Sequence, residues 1–353
     1  MEIDNMLNQQ GAWLRGIGKE SDIVISSRIR LARNIAGFPF VNRATEKECL
    51  GIIESFENAI KRIIQPETAF YLNLQKLSTV DRYYLLERQL ISQDFVESTK
   101  PRAVLIDRNE DFSIMVNEED HLRLQAMTSG LDLEKVWACI NLLDDKIANE
   151  LSYAFDEKLG YLTACPTNTG TGIRVSVMLH LPGLVETREI ERVFRSLQKI
   201  NLAVRGTFGE GSKALGDFYQ ISNQITLGRS EEELIAQIAE VIPCILKYER
   251  KSRSVLMERA NDSLMDRCFR AMGILQTART ISAEESMNLL SSVRLGINMG
   301  IINDISCSQA NDLLLHLQPA HLQKLAKKEL NKDAENHFRA DYLRQKINLN
   351  VQS

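Results

Sequence analysis

The stretch Asp22-Ile23-Val24-Ile25-Ser26-Ser27-Arg28-Ile29-Arg30-Leu31-Ala32-Arg33-Asn34 constrains this chain more than any other. It opens as a buried strand and ends with alternating arginine. Successive side chains of an extended strand point to opposite faces, so Arg28 and Arg30 share one side and offer two guanidinium forks to a single ligand. The same pattern also suits an exposed sheet edge protected by charge.

A second charged stretch reads Met115-Val116-Asn117-Glu118-Glu119-Asp120-His121-Leu122-Arg123. Three consecutive carboxylates repel one another, and a folded chain keeps them together most readily where a cation relieves the repulsion. The alternative is a solvated acidic turn after a strand.

The 353 residues carry 43 basic and 47 acidic side chains, a net charge of −4, interspersed along the whole chain. Neither a polybasic tail nor an acidic arm argues for nucleic acid or an anionic membrane, so any phosphate site must be local. With 44% hydrophobic residues there is enough apolar material for a substantial core and two domains. No apolar run approaches the roughly 20 residues that span a bilayer, and the N-terminus lacks the basic end and apolar middle of a signal peptide. A cytoplasmic protein is expected. Six cysteines stand at least 24 residues apart, which excludes Cys-x-x-Cys zinc and redox motifs. Five of them, all but Cys165, read as small core residues.

In chain order, residues 1–20 read as a loosely held lead-in. Cys49, Ile52, Ile53, Phe56, Ile60 and Ile64 repeat at helical spacing, residues 70–77 alternate like a strand, and residues 79–91 are again helical. Residues 103–117 read as two strands joined at Asp107–Asp111, so the acidic triplet emerges from a strand end. An amphipathic helix over 133–151 carries Trp137, Leu142, Leu143 and Ile147. Between two apolar strands, the Pro/Asn/Gly-rich loop Cys165-Pro166-Thr167-Asn168-Thr169-Gly170-Thr171-Gly172 can expose backbone amides and bring Cys165 and Arg174 beside a ligand. Gly170-Thr171-Gly172 lacks the third glycine and the helix of a dinucleotide fingerprint. After a helix over 187–200, the glycines of 206–211 resemble a P-loop, but Ser212 stands where its lysine must be. What remains is a strand-end loop holding Arg205 and Glu210, followed by a strand over 217–227.

Taken in order, Ser-Ser-Arg-Ile-Arg at 26–30, Asn-Glu-Glu-Asp-His-Leu-Arg at 117–123, Cys-Pro-Thr-Asn-x-Gly-Thr-Gly-Ile-Arg at 165–174, Arg-Gly-Thr-x-Gly-Glu at 205–210, and Ile-Ser-Asn followed by Leu-Gly at 221–228 resemble the catalytic domain of the phosphagen (guanidino) kinases. The ordered set spans about residues 21–230. The chain is most similar to the bacterial protein-arginine-kinase branch of that family, because only some 25 residues precede the first arginine motif and a long helical region follows the last. Other members carry a helical domain ahead of that motif that closes over a free guanidino amino acid. Its absence implies an acceptor site open to arginine within a protein.

The resemblance implies an α+β fold, an antiparallel sheet flanked by helices as in glutamine synthetase, over 21–230. An all-helical region for dimerisation and regulation then occupies 231–353, where Ser230-x-x-Glu233 and Ser282-x-x-Glu285 are capping boxes. It implies ATP with Mg²⁺, and a phosphate cradle of Arg28, Arg30, Arg123, Arg174 and Arg205. Nucleotide contacts would also come from Ser26, Ser27, Ile29, Gln89, Val175, Ser176, Val177, Met178, Gly206, Thr207, Phe208 and Gly209. Glu119, the expected base, and Glu210 would hold and deprotonate the acceptor guanidinium, which is a poor nucleophile while protonated. Cys165 would lie beside it. No protein ligand to Mg²⁺ is expected, Glu118 approaching the metal only through water.

Partners implied by the branch are protein substrates, a second copy of the chain, a zinc-binding activator protein, a heat-shock transcriptional repressor and a Clp-type ATPase. Gln89 and Met178 replace two family histidines that touch the adenine. Glu335-Asn336-His337-Phe338-Arg339-Ala340 keeps only the last two residues of an Arg-Asp-x-x-Arg-Ala phosphoarginine pocket, which weighs against phosphoarginine activation. A kinase for free arginine or another small guanidine, and a non-catalytic phosphoarginine or nucleotide adaptor, are the competing functions. Loss of Glu119, Glu210 or a cradle arginine would mark the adaptor, and none is lost.

Overall fold

A computed structural model describes residues 3–7, 9–206 and 215–351. Among them an eight-stranded sheet, antiparallel throughout, forms the centre. Its strands are β1 (Val24–Arg33), β2 (Ala69–Asn73), β3 (Ala103–Asp107), β4 (Phe112–Val116), β5 (Leu122–Ser129), β8 (Ile173–His180), β9 (Leu202–Gly206) and β10 (Phe218–Asn223). Their order is β2-β3-β4-β5-β1-β8-β10-β9. A separate hairpin, β6 (Phe155–Asp156) and β7 (Gly160–Tyr161), stands beside it.

The two-residue period of each strand separates two kinds of surface. Ile29, Leu31, Leu122, Leu124, Ile173, Val175, Val177 and Ile221 point to one face. There they meet α1 (Glu46–Ile63), α4 (Leu133–Ala148), α6 (Ile190–Gln198) and the first half of α7 (Glu231–Arg259) in a continuous apolar core. The opposite face is divided along the strands. Ile25, Met127, Met178 and Phe218 join the core formed with α8 (Asn261–Thr277), α9 (Ala283–Asn298), α10 (Cys307–His316), α11 (Pro319–Ala326) and α12 (Lys332–Val351). The remainder of that face carries the arginines.

Capping accounts for several helix starts. Thr45 and Ser230 each close a capping box with the glutamate three residues on, while Ser282 accepts the Glu285 amide. The strand expected over 70–77 ends at Asn73, whose side chain caps a short 3-10 turn. The helix expected over 79–91 stops at Glu87, and Gln89 follows at φ +60°. The helix expected over 187–200 is α6, which begins only at Ile190; a separate short helix, α5 (Pro182–Glu186), precedes it, with Arg188 at φ +60° between them. Leu142 lies on the exposed side of α4 rather than its buried side.

Two readings require correction. The described part of the N-terminal segment is not a loose lead-in: Met6, Trp13 and Leu14 are buried between the sheet and the C-terminal helices, and the Trp13 indole donates to the Arg88 carbonyl at 3.1 Å. A scatter of a few apolar residues hides such burial, because their partners lie hundreds of positions away. Of the five cysteines taken for core, only Cys49 and Cys268 are buried. Cys139 and Cys307 are half-buried, and Cys244 is exposed on α7.

Candidate active site

Strand register assembles the charged face. Arg30 lies opposite Arg174 across the β1–β8 pair, and Ala32 opposite Arg123 across the β1–β5 pair. Arg205 on β9 lies opposite Gln220 on β10. Alternation places Arg28, Arg30, Arg123, Arg174 and Arg205 on one face, so five residues spread over 178 positions of sequence meet in a patch of four strands.

These arginines are held in different ways. Arg123 donates to Glu118 Oε1 at 2.5 Å, and Glu118 also accepts from Ser92 at 2.6 Å. Arg28 donates to Gln89 Oε1 at 3.1 Å and to Gln220 Oε1 at 2.5 Å. Arg174 donates to Ser222 Oγ. Arg30 Nε has no hydrogen-bond partner among the described residues. Burial lowers the pKa of Arg28 to about 9, with Arg123 and Arg174 adding to the shift, and drives that of Arg30 well below its ordinary value, with Arg28, Arg123 and Arg174 adding. An arginine stays protonated in a protein, so this depression measures how much the patch favours an anion. A polyphosphate has the charge to supply it.

The acidic triplet does three separate things. Glu118 is buried, and its partners hold its carboxyl down at about 2 despite that burial. Asp120 is also buried, where it accepts from Asn34 Nδ2 at 2.6 Å and from the Ala164 amide at 2.7 Å. Asp120 thereby ties the acidic turn to the loop that carries Cys165. Glu119 alone is exposed, and its carboxylate takes a hydrogen bond from the Cys165 thiol. Partial burial and the neighbouring acids Asp120 and Glu118 raise the Glu119 pKa. An accessible carboxylate with a raised pKa beside an arginine patch is suited to accept a proton from a cationic substrate.

Not every expected nucleotide contact faces this patch. Ile29, Val175 and Val177 point into the opposite core, so their side chains are scaffold. Ser27 is turned away too: its hydroxyl donates to the Gly130 carbonyl and accepts the Asp132 amide ahead of α4. Ser26 and Ser176 are buried in the sheet, and Ser176 Oγ donates to the Arg28 carbonyl. Met178 is buried in the apolar part of the arginine face, while Gln89 turns its carboxamide onto Arg28. Gly206 ends β9. Thr207, Phe208, Gly209 and Glu210 lie outside the described residues.

The motif reading missed Ser92, Asn34, Arg102 and Gln220. Arg102 donates to the Glu118 carbonyl from across the turn. Ser92, Arg102 and Gln220 sit in no run of charge or glycine that marks them, Asn34 ends the arginine stretch without chemistry of its own there, and each matters only through a contact made by folding. Among the described residues no group of three or more His, Cys, Asp or Glu side chains could hold a metal ion. This donor set suits a divalent ion carried by the nucleotide's own phosphates, because the nearest acid, Glu118, is already committed to Arg123 and Ser92.

A sheet face of clustered arginines, bordered by an accessible acid and a thiol, defines the catalytic unit of an ATP:guanidino phosphotransferase. Residues 51–252 match the family described as ATP:guanido phosphotransferase, C-terminal catalytic domain, and residues 261–353 match the Protein-arginine kinase McsB C-terminal domain. The protein-arginine kinase of Clostridium acetobutylicum is 45% identical over 338 residues, covering 95% of this chain and 99% of its own. That of Halothermothrix orenii is 42% identical, covering 99% of this chain and 100% of its own. Among solved structures, lombricine kinase superposes with a TM-score of 0.59 at 26% identity over 69% of each chain. The duplicated taurocyamine kinase of Schistosoma mansoni gives 0.58 at 26%, over 67% of this chain and 33% of that one. The chain belongs to the protein-arginine kinase family. It is a phosphotransferase, and ATP is its phosphoryl donor.

The segment Glu335–Ala340, expected to lack most of a phosphoarginine pocket, is closed on itself by ion pairing. The buried Arg339 guanidinium donates to the Leu317 and Ile281 carbonyls, to Asn336 Oδ1 and to Glu335. Glu335 supplies the anion that Arg339 needs.

Proposed function

We propose that this protein transfers the γ-phosphoryl group of ATP to the guanidinium of arginine side chains in proteins, with its residues in the following roles. Arg28, Arg30, Arg123, Arg174 and Arg205 receive the triphosphate and stabilise the charge that grows on the γ-phosphoryl oxygens during transfer. Mg²⁺ arrives on the nucleotide and neutralises part of that charge; Glu118 holds Arg123 and reaches the ion only through water. Glu119 pairs with the acceptor guanidinium, aims one nitrogen in line with the phosphorus, and takes the proton released as the N–P bond forms. Glu210 supplies the second carboxylate, and Cys165 lies beside the acceptor. The observation that carries this reading is the meeting, at one end of one sheet face, of mutually repelling arginines with the exposed Glu119.

We infer the wider setting from the family resemblance. The protein works in the cytoplasm as a homodimer assembled through its C-terminal helices and serves the response to stress. A zinc-binding activator protein, a heat-shock repressor and a Clp-type ATPase are its partners. None of the helices among the described residues is long and apolar enough to cross a membrane.

Glu119→Gln tests the assignment. The change keeps shape and removes basicity, so phosphorylation of an arginine-rich protein, measured as acid-labile N–P product by mass spectrometry, should fall by about 10³-fold or more while ATP binding persists. In the wild type, kcat/KM should rise with pH through a value above the ordinary 4.5 of a glutamate, because the raised pKa delays formation of the active carboxylate. Near-normal turnover by Glu119→Gln would place the base elsewhere.

A further inference from the structure

The row of side chains where the apolar and arginine parts of the sheet face meet is built from amides rather than acids. Gln220 on β10 and Gln89 after α2 (Thr79–Glu87) each present a carboxamide oxygen to Arg28, and Gln125 on β5 donates from Nε2 to the Gln89 carbonyl at 2.6 Å. A guanidinium has donors only, so both amides must turn their oxygens toward it. Gln220 is the closer of the two at 2.5 Å and belongs to a strand paired on both sides, whereas Gln89 sits in a connection at positive φ.

We propose that Gln220 is a positioning residue for phosphoryl transfer: it orients the Arg28 fork with a neutral acceptor and so leaves the full cationic charge of Arg28 for the bound phosphates. The inference rests on the reading of Arg28 as a phosphate contact. A carboxylate at the same place would orient the fork at least as firmly. It would also cancel the charge, as Glu118 does for Arg123. A neutral amide separates the two effects. The free protein bears the cost, because among the described residues Arg28 is left beside other arginines without an acid of its own. Gln220 also faces Arg205 across the β9–β10 pair, so an added negative charge there would weaken a second cradle arginine.

The charge argument predicts opposite movements of affinity and stability, which a merely structural glutamine would not produce. In Gln220→Glu the new carboxylate pairs with Arg28. The melting temperature of the nucleotide-free enzyme should rise, while the MgADP dissociation constant measured by calorimetry increases tenfold or more. Gln220→Ala, which removes one acceptor and adds no charge, should weaken MgADP binding by only a few-fold and should not raise the melting temperature. MgADP affinity of Gln220→Glu within twofold of wild type would overturn the proposal, as would a joint loss of affinity and stability. Arg28→Ala provides the separate control: strongly reduced MgADP binding supports the cradle, so that a silent Gln220→Glu would then count against Gln220 alone. Wild-type MgADP binding by Arg28→Ala would overturn the cradle reading and the Gln220 proposal with it.

Discussion

Arg88 is fully buried and Arg30 half-buried, and the fold treats the two guanidinium groups in opposite ways. Arg88 is fully buried and pairs with Glu110 at 2.6 Å, while also donating to the Gln9 carbonyl. Arg33 with Asp144, Arg253 with Glu249, and Arg339 with Glu335 follow the same scheme. Each is an internal fastener whose charge is spent within the protein. Arg30 sits opposite another arginine in the sheet, and its pKa falls through burial, with the like charges of Arg28, Arg123 and Arg174 adding to the shift. The difference teaches how to tell a structural arginine from a ligand-binding one in a chain with 43 basic residues. The first kind is neutralised by a neighbour, and the second is left for something that comes from outside.

The largest test of this contrast is Arg88→Ala. It strands Glu110 in the interior without its hydrogen-bonded cation, and chemical denaturation should register a loss of about 3–5 kcal/mol. Turnover per folded molecule should change far less. Arg30→Ala should behave the other way: kcat/KM falls by about 10²–10³-fold, as for other preorganised charge donors, while stability of the free enzyme holds or rises because repulsion is relieved. If Arg30→Ala unfolds the protein as readily as Arg88→Ala, the distinction collapses.

A smaller effect sharpens the boundary case of Arg123, which lies in the cradle yet has an acid of its own. The folded-state pKa of Glu118 is depressed to about 2 from an ordinary 4.5. Its ion pair therefore contributes stability above pH 4.5, and that contribution is lost as the pH falls from 4.5 toward 2. Glu118→Gln should lack this portion of the acid dependence in a series of melting curves. An unchanged acid profile would mean that Arg123 and Glu118 act as independent charges.

The strand alternation of Arg28, Ile29, Arg30 and Leu31 was readable from the chain, because a two-residue period follows from backbone geometry alone. The capping box at Ser230 is equally local, and the motifs at 117–123 and 165–174 carry their chemistry in consecutive residues. What lay beyond local reading was every contact between distant segments. Trp13 in the seam, Asp120 reaching the Ala164 amide, and Gln220 seated on Arg28 have no marker of their own in the sequence. Ile29, Val175 and Val177 show the converse, since they sit inside the motifs and yet face the core. Local order thus decides which residue types stand next to one another along a strand. Only the closed sheet decides which charges meet, because electrostatic interactions depend on distance through space and sequence separation places no bound on it.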